Sequence, residues 1–484
     1  MNSTTISKSS IFKRMFISFV LMLGVVFGFV ACGTNVGFDD GPASTDVVIG
    51  NGTASVSYGD YVYYVNGYQS YSDVADTNVY GNVTYSAVYR TKLVNGKVVE
   101  NEKELDEDGN EVFDKTQGIQ NTGILVSKVC GFESTKLYIF DGYLYYTTPG
   151  NQVARDGTIE NDHIDFCRIK IDGHSRGEKL FTSDSTLTDI SFYMYQYAGK
   201  AYLIVKDGTT LKIAECTKTT FNLNILNSDD YSIASIAPTR YTRSDDTVSS
   251  IDNSVYFVYT NSDITTGNVL AKYDLSTKKV TNLSERGTGT YTLLGSVGGR
   301  LYYNKQLLTS PGTSGAYLYY NTLNGETFDT TEKQLSSVAY TASNIYLYNS
   351  DKIGAYINNG SNVYRFDSDG TKTQIITGNA TIVAQKGNYL FYTLDNTLYR
   401  LDVATSGATA ESLLSLASAN AVTNTLSVVS PTKVFYLKEY TNSSRTSYYM
   451  HMLDTSIQTD DGNYDHFIGV LEEKDYVEDD KESD

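Results

Sequence analysis

The chain has 484 residues, of which 40% are hydrophobic, so it is able to bury a substantial core, and this argues against global disorder. Its 56 acidic and 38 basic side chains give a net charge of −18, which repels phosphate backbones and anionic membrane surfaces and argues against nucleic acid as a partner. The 42 tyrosines and 39 glycines, with 5 prolines and no tryptophan, favour strands joined by tight turns.

Residues 1–31 have the layout of a secretory signal peptide. Lys13 and Arg14 form a positively charged flank, and residues 15–31 form an uncharged apolar run that ends directly before Cys32. A single membrane-spanning helix is the alternative, but the run is barely long enough to span a bilayer, and small, polar and acidic residues follow it. Removal of this segment, with its three basic and no acidic side chains, would bring the net charge to about −21.

The letters FVAC, which end at Cys32, resemble the lipobox of bacterial lipoproteins. Ala31 and Cys32 match this motif, whereas Phe29 departs from its usual leucine. The resemblance implies that Cys32 carries a diacylglycerol and a palmitate and holds the protein on the extracellular face of the bacterial cytoplasmic membrane. Ordinary cleavage without lipidation is the alternative. Residues 32–45 would then form a short flexible tether.

Three further cysteines, Cys130, Cys167 and Cys216, follow Cys32. An odd number outside the cytoplasm argues against a complete disulfide framework. We expect no disulfide and a domain held together by packing.

A short aromatic run, such as YLFYT at residues 389–393, recurs along the chain. The matching aromatic residues in eight such runs are Tyr63, Tyr145, Tyr202, Tyr256, Tyr302, Tyr346, Phe391 and Phe435. The last four intervals are 46, 44, 45 and 44 residues, a period too regular to be chance.

Each repeat also contains other strands. A second strand follows the run and ends in a turn, as at Asn95-Gly96, Asp172-Gly173 and Asp369-Gly370, which tolerate the positive φ of a tight hairpin. Another strand candidate precedes each run, as at residues 380–387. Four short antiparallel strands per repeat of about 45 residues predict an all-β fold, a β-propeller of four-stranded blades. Stacked sandwiches would instead repeat at about 100 residues.

Eight runs predict eight blades, with seven as the alternative because the first repeat contains an insertion at residues 100–123. We expect the propeller to cover residues 46–465. It would close by pairing a strand at residues 44–50 with the last blade, which would remove exposed sheet edges. Residues 472–484 form an acidic charge run, and we predict a disordered tail over residues 466–484.

Segments such as LFYTLDNTLYRLD at residues 390–402 resemble the YWTD repeats of low-density-lipoprotein receptors. They also resemble the related bacterial extracellular propellers, including a family of unknown function found in lipoproteins of Firmicutes. The likeness covers residues 50–460, and tyrosine or phenylalanine replaces the tryptophan of the receptor motif throughout. It implies a propeller and a surface location, and it carries over no catalytic residue.

Arginine recurs at one point of the strand after the aromatic run, and aspartate recurs near the end of that strand. The arginines are Arg90, Arg168, Arg365 and Arg400, and the aspartates are Asp172, Asp274, Asp367, Asp402 and Asp454. We predict that the arginines pair with acids on the neighbouring blade, the alternative being a ring that binds an anion. The aspartates are predicted to form turns, with calcium binding as the alternative.

Two segments raise the question of a metal ion. Acids alternate around Asp106 and Asp108, as in an oxygen-ligated calcium loop, but the EF-hand spacing fails and a charged hairpin explains the pattern as well. His163, Cys167 and His174 lie close in sequence, yet their spacing matches no standard zinc pattern. We therefore predict no metal and no cofactor.

No catalytic constellation stands out in the sequence. The four histidines at positions 163, 174, 451 and 466 fall in different repeats or the tail, which supports no Ser-His-Asp triad. Residues 66–89 and 191–197 hold more tyrosines than strand alternation would bury, and exposed tyrosine suits contacts with sugars or peptides.

The sequence thus favours a monomeric, membrane-anchored extracellular lipoprotein whose propeller is a non-enzymatic binding module for a protein or a glycan. A polysaccharide-active enzyme is the first alternative, because two carboxylates from different blades meet only in the fold. An envelope assembly or structural factor is the second. The fold by itself does not choose among them, since propellers host many functions.

Overall fold

The chain folds into eight antiparallel sheets arranged in a ring, an eight-bladed β-propeller. The structure is a computed structural model, and the residues it describes are 39–50, 52–69, 85–100, 120–130, 136–153, 159–185, 189–226, 229–237, 247–248, 253–297, 300–308, 315–324, 327–328, 332–341, 344–348, 354–367, 369–441, 446–459 and 462–468. The predicted fold class and eight blades are confirmed, and the alternative of seven is wrong.

Blades 1 to 4 follow a short N-terminal strand, β1 (Val48–Ile49). Blade 1 contains β2 (Ser55–Tyr58), β3 (Tyr61–Gln69), β4 (Tyr85–Lys92) and β5 (Thr122–Cys130). Blade 2 contains β6 (Tyr138–Phe140), β7 (Tyr143–Val153), β8 (Ile159–Lys170) and β9 (Glu178–Thr182). Blade 3 contains β10 (Ile190–Tyr197), β11 (Lys200–Asp207), β12 (Thr210–Cys216) and β13 (Phe221–Leu226). Blade 4 contains β14 (Ser232–Ile236), β16 (Ser254–Thr260), β17 (Val269–Asp274) and β18 (Val280–Asn282), with β15 (Thr247–Val248) in a connection.

Blades 5 to 8 have the same order of strands. Blade 5 contains β19 (Gly289–Val297), β20 (Arg300–Leu307), β21 (Tyr317–Asn324) and a fourth position shared by β22 (Thr327–Phe328) and β23 (Lys333–Gln334). Blade 6 contains β24 (Ile345–Tyr348), β25 (Gly354–Asn358), β26 (Asn362–Asp367) and β27 (Lys372–Thr377). Blade 7 contains β28 (Thr381–Lys386), β29 (Tyr389–Leu394), β30 (Thr397–Asp402) and β31 (Glu411–Ser415). Blade 8 contains β32 (Ser427–Val428), β33 (Lys433–Thr441), β34 (Thr446–Thr459) and β35 (Gly462–Phe467).

Two tight turns show the expected backbone conformation: the predicted turn at Asn95-Gly96, between the isolated bridge partners Val94 and Lys97, and the turn between β29 and β30. Asn95 and Gly96 have φ values of 52° and 79°, and Asp395 and Asn396 have φ values of 49° and 56°. Positive φ at both central residues is the geometry of the type I′ hairpin, whose twist matches that of the flanking strands.

The recurrent aromatic residue lies on the second strand of each blade and is buried between blades. Its position is predicted correctly in seven blades and wrongly in blade 6, where Tyr346 lies on the first strand, β24. The equivalent residue is Tyr356, which pairs with Arg365 as Tyr63 pairs with Arg90. Both Tyr63 and Tyr356 are fully buried. In blade 6 both the first and the second strand contain aromatic residues. The regular spacing seen in the sequence therefore does not match the spacing of equivalent residues in the blades.

The recurrent arginines lie on the third strands of blades 1, 2, 6 and 7, and each reaches the next blade. One guanidinium nitrogen donates a hydrogen bond to a main-chain carbonyl oxygen in a turn of that blade. The acceptors are Ile171 for Arg90 (3.2 Å), Thr217 for Arg168 (2.6 Å), Val403 for Arg365 (3.1 Å) and Pro431 for Arg400 (2.8 Å). The arginines therefore join adjacent blades, which leaves no ring of guanidinium groups around a common anion.

The acids that pair with three of these arginines come from the same blade. Glu178 on β9 lies 2.8 Å from Arg168, and Glu411 on β31 lies 2.7 Å from Arg400. Asp367 lies 3.0 Å from Arg365 on the same strand. The predicted pairing with acids of the neighbouring blade is therefore wrong, because the groups of that blade that these arginines reach are main-chain carbonyl oxygens in its turns.

The ring closes by packing of blade 1 against blade 8 without an exchange of strands. Strand β3 contacts β34. The hydroxyl groups of Tyr64 and Thr91 donate hydrogen bonds to the carbonyl oxygen of Ile468, and Ser55 donates to Ser427 over 2.7 Å. Blade 8 thus extends through the buried Ile468, into the segment predicted as the tail.

The N-terminal strand β1 does not pair with the last blade, so the predicted closure is wrong. Ile49 pairs with Ile139 of β6, and Val48 pairs with Val248 of β15. The sheet of blade 2 consequently has the order β15-β1-β6-β7-β8-β9, with β1 and β15 added beside the first strand of the blade. Hydrogen bonding to the free edge of β6 covers backbone groups that would otherwise remain unpaired.

We expect Gly50→Ala to lower the free energy of unfolding by about 3 kcal/mol, measured by urea unfolding. Gly50 has a φ of 137°, and an added Cβ would lie 2.7 Å from the carbonyl oxygen of Leu137 and 2.9 Å from the ring of Tyr138. Gly360 has a φ of 87° and no neighbour within 4 Å of such an atom. Gly360→Ala is the matched control and should cost about 1 kcal/mol, from backbone strain alone. Equal losses of unfolding free energy in Gly50→Ala and Gly360→Ala would show that the chain after β1 is not packed against Leu137 and Tyr138 as described.

Arg168→Met should lower the free energy of unfolding by about 2–3 kcal/mol, since it removes the bond from blade 2 to blade 3 and leaves the Thr217 carbonyl without that donor. Arg168 is 1% exposed. Arg286, paired at the surface with Asp263 over 3.4 Å, provides the control, and its change to Met should cost less than about 0.5 kcal/mol. The idea of a bond between blades fails if chemical unfolding gives the same loss for both variants.

Candidate functional site

A cavity of about 560 Å³ opens on blade 8, and this volume is typical of small-molecule sites. It lies between the connection from β31 to β32 and the end of the β33–β34 hairpin. Its lining residues are Leu416, Ala417, Asn420, Ala421, Val422, Thr423, Asn424, Thr425, Leu437, Glu439 and Tyr448.

An interruption of the first strand of blade 8 forms this cavity. Strand β32 pairs with β33 only through Ser427 and Val428. Ala421 then forms an isolated bridge with Lys438 further along β33. Between these two contacts the chain leaves the sheet and forms a 3₁₀ turn, Thr423–Thr425.

The side chain of Thr425 holds the interruption in place. Its hydroxyl group donates a hydrogen bond to the carbonyl oxygen of Val422 over 2.6 Å and accepts one from the amide of Leu437 over 2.9 Å. Thr425 is buried, and Asn420, at the start of the interruption, has a φ of 49°. The cavity is thus part of the folded blade, because hydrogen bonds to β33 fix both ends of the connection.

The lining combines an apolar base with polar side chains at the opening. Leu437 is buried, Tyr448 and Glu439 are half-buried, and Asn420 and Asn424 are exposed. Glu439 is the one carboxylate among the lining residues. An aromatic ring, two amides and a carboxylate are able to stack on a ligand and exchange hydrogen bonds with it.

The sequence analysis does not identify any residue of this cavity. The lining types are ordinary and none belongs to a motif. One weak signal is present in the sequence: residues 416–426 form a longer connection between blades than residues 378–380 between blades 6 and 7, although residues 335–344 between blades 5 and 6 form one of similar length. Long connections are where binding residues are often found.

The three residues considered for zinc are not brought together. His163 is buried on β8, with its Nδ1 3.1 Å from the carbonyl oxygen of Ser183. Cys167 is also buried, while His174 lies in an exposed turn. Within the ranges that the structure describes, no three His, Cys, Asp or Glu residues are grouped so as to hold a metal ion.

Two cysteines with described side chains, Cys167 and Cys216, are buried free thiols. Burial raises the pKa of each to about 12, so both remain protonated at neutral pH and are poor nucleophiles.

The recurrent aspartates form turns, as predicted, in four of five cases. Their Oδ1 atoms accept hydrogen bonds from the amide two residues ahead, for Asp172 (2.9 Å), Asp274 (2.9 Å), Asp402 (3.0 Å) and Asp454 (2.9 Å). Asp367 instead pairs with Arg365. These carboxylates are used in local structure, the role expected of aspartate at turns.

The two stretches predicted to expose tyrosines have different outcomes. In the stretch 191–197, Tyr193 and Tyr195 are buried and Tyr197 is partly buried, so the prediction of an exposed patch is wrong there. Strand β10 packs against neighbouring blades on both faces, which buries more tyrosines than simple alternation allows. Most of the stretch 66–89, the segment around Asp106 and Asp108, and Cys32 lie outside the described residues.

One histidine is buried in blade 8 beside an acid. His451 Nδ1 lies 3.2 Å from an oxygen of Asp465, and the hydroxyl group of Tyr436 donates to Asp465 over 2.6 Å. Burial lowers the pKa of His451, although the Asp465 carboxylate opposes this shift. His451 is therefore neutral at pH 7.

Acidification should destabilise the protein through His451. Below the ordinary histidine pKa of about 6.5 the unfolded chain binds a proton that the folded chain resists, so stability falls by up to about 1.4 kcal/mol per pH unit until the folded pKa is reached. We expect His451→Gln to reduce this loss in urea unfolding between about pH 7.5 and about pH 5.5. His174→Gln, at an exposed site, should leave it unchanged. If the unfolding free energy of His451→Gln fell with pH as steeply as that of the unaltered protein, His451 would not be the group responsible.

Comparison with known proteins gives distant structural similarities and assigns no function to the chain. No family profile matches the chain, and no curated protein sequence matches it. Among solved structures, the β-propeller domain of the Trilobed protease from Pyrococcus furiosus is 10% identical, with 76% of this chain and 98% of that chain covered and a TM-score of 0.36. Porphyromonas gingivalis dipeptidyl peptidase 4 is 11% identical, with 82% and 56% covered and a TM-score of 0.38. TolB from Acinetobacter baumannii is 13% identical, with 64% and 77% covered and a TM-score of 0.30.

The chain spans about half the length of the peptidases among these structures, with 48% and 52% of two further peptidase chains covered. At such low identity the likeness concerns the propeller alone, and no activity is carried over from it. The described part of the chain also contains no helix long and apolar enough to cross a membrane. The propeller is thus shown by the chain's own strand order, and its function is inferred from its own site.

Proposed function

We propose that the protein is an extracellular lipoprotein, held on the membrane by a lipid on Cys32, whose propeller is a non-enzymatic binding module. The cavity of blade 8 is its binding site, and a neutral saccharide is its ligand. The observation that carries this proposal is the mixed lining of that cavity, with Tyr448 and Glu439 beside the amides of Asn420 and Asn424.

The lining suits a sugar better than an apolar or an anionic ligand. A tyrosine ring offers a flat apolar face for the C–H face of a sugar and a hydroxyl group for its edge. Glu439 accepts hydrogen bonds, while Asn420 and Asn424 both donate and accept them. The net charge of −18 and the carboxylate of Glu439 disfavour anionic ligands. A neutral, hydroxyl-rich molecule is able to stack on the tyrosine ring, exchange hydrogen bonds with the carboxylate and the amides, and avoid charge repulsion.

A binding role is favoured over hydrolysis by the number of carboxylates. Glycoside hydrolases use two, about 5 to 10 Å apart, one as an acid and the other as a base or nucleophile. Among the described residues of the lining, Glu439 is the one carboxylate. We infer that the site holds a saccharide without cleaving it.

Support for the anchor comes from the sequence. The positively charged flank at Lys13 and Arg14, the apolar run and the FVAC letters before a single cysteine are typical of bacterial lipoproteins. The predicted acidic tail and the high negative charge are compatible with a soluble propeller outside the cell.

Calorimetric titration of the full chain in detergent with neutral glucose-, galactose- and N-acetylglucosamine-based oligosaccharides tests the site. At least one series should bind, and Tyr448→Ala should weaken it about tenfold, through loss of the stacking face. Tyr317 is the matched control, because it is also half-buried and also lies near the start of a third strand, β21.

Tyr317→Ala should leave the affinity unchanged. The saccharide site would be refuted if no neutral oligosaccharide bound, or if both tyrosine variants bound equally well. Release of shorter products during the titration, seen by chromatography, would instead identify an enzyme.

A further inference from the structure

The last strand of blade 3, β13, has an open edge. It is an end strand of its sheet and pairs with β12 in one continuous register, from Cys216 opposite Phe221 to Leu211 opposite Leu226. Its six residues, FNLNIL, include no charge, no proline and no glycine. An open edge offers backbone N–H and C=O groups to another chain, and natural proteins protect such edges with charged side chains, short strands or bulges.

The last strands of the other blades have this protection in the part of the chain that the structure describes. Blades 4 and 5 end in short strands, since β18 has three residues and β22 and β23 have two each. The last strands of blades 1, 2, 6, 7 and 8 each contain a charged residue. Each of these five also shifts register against its neighbour. Among the described last strands, β13 alone is long, uncharged and regular.

Every second residue of β13 directs its backbone groups away from β12. The hairpin before the strand closes with a hydrogen bond of 2.8 Å from the amide of Thr217 to the carbonyl oxygen of Thr220. In an antiparallel pair, residues that bond to the partner strand alternate with residues whose N–H and C=O point the other way. Counted from this hairpin, the residues that present their backbone to the open edge are Phe221, Leu223 and Ile225.

The side chains of β13 match a second copy of the same strand. Phe221, Leu223 and Ile225 form an apolar row on one face, where Ile225 is 56% exposed, and Asn222 and Asn224 lie on the other face. In an antiparallel pair of two copies centred on Leu223, Phe221 lies opposite Ile225, and Asn222 lies opposite Asn224. Apolar side chains then contact apolar ones, and amides contact amides. In this register all the outward backbone groups of the apolar row also find partners.

Charges beyond the two ends of β13 favour the same arrangement. Lys218, whose side chain is 66% exposed, precedes the strand, and the exposed Asp229 and Asp230 follow it. Antiparallel pairing brings Lys218 of each copy beside these aspartates of the other copy, whereas parallel pairing would bring like charges together. Because the chain has a net charge of −18, an uncharged strand is also where two copies repel each other least. The edge is therefore complementary to itself.

We propose that two copies of the chain associate through antiparallel pairing of their β13 edges, so that two four-stranded blades form one eight-stranded sheet. This differs from the monomer that the sequence favours. The inference depends neither on the lipid anchor nor on the saccharide site, and blade 3 is three blades away from blade 8, so both cavities stay open. A contact made mainly by one strand pair is small and typical of weak, reversible association.

Light scattering coupled to size-exclusion chromatography measures the protein mass of the full chain in a nonionic detergent. Between about 1 and 100 μM, the mass should rise from that of one chain towards that of two. Ile225→Lys places a charge on the edge and should raise the dissociation constant at least about tenfold.

Val338→Lys is the matched control for this variant. Val338 is also 56% exposed, but it lies in the connection between blades 5 and 6, so its change should leave the dissociation constant unaltered. All variants have the same N-terminus, and association through detergent micelles would therefore affect them equally.

A reversal of charges tests the antiparallel direction. Lys218→Glu should weaken the dimer several-fold, because it places like charges beside each other. Addition of Asp230→Lys in the same chain should recover most of this loss, since opposite charges then face each other again. A disturbance of the turn by Lys218→Glu alone would not be reversed by the second change.

Cross-linking with a short bis-maleimide tests the register. In the proposed pair, thiols introduced by Asn222→Cys are diagonal neighbours about 7–8 Å apart and should be linked efficiently. Thr219→Cys, at an exposed position in the turn before β13, is the control, since its two thiols would lie about 26 Å apart. The native Cys167 and Cys216 are buried, and the unaltered protein gives the background.

A mass of one chain at every concentration would overturn the second copy as the occupant of this edge. A dimer that Ile225→Lys leaves intact, or equal cross-linking from positions 222 and 219, would show association through another surface and would overturn the pairing at β13.

Discussion

Burial of one aromatic side chain per blade against the next blade is the constraint on which the architecture depends. Tyr63, Tyr302 and Tyr356 are fully buried at equivalent points of three blades, each on a sheet too small to bury them alone. Because packing supplies the cohesion between blades, the ring closes between β3 and β34 without an exchanged strand. The N-terminal strand is therefore free to pair with the open edge of β6, and Asp39 before it contacts Arg90.

Apart from the fold class and the eight blades, the features predicted correctly from the sequence are local ones. A turn at Asn95-Gly96 depends on two adjacent residues, and the turn at Asp402 depends on a carboxylate and an amide two residues ahead. The second strand of blade 6 was harder to identify from the sequence. Strands β24 and β25 both contain tyrosine, and the regular spacing of the aromatic runs selects β24, which is the first strand. The hydrogen-bond acceptors of the arginines could not be predicted from the sequence, since every residue type has a main-chain carbonyl oxygen.

The cavity shows why a site in a repeat fold escapes sequence reasoning. Its shape depends on the hydroxyl group of Thr425 between Val422 and Leu437, and Thr425 is one threonine among many. Its lining joins a connection between blades to a hairpin, so residues about 30 positions apart meet only after folding. What the sequence does contain is a connection longer than the regular blade requires. Departures from a repeat are thus better guides to function than the repeat itself.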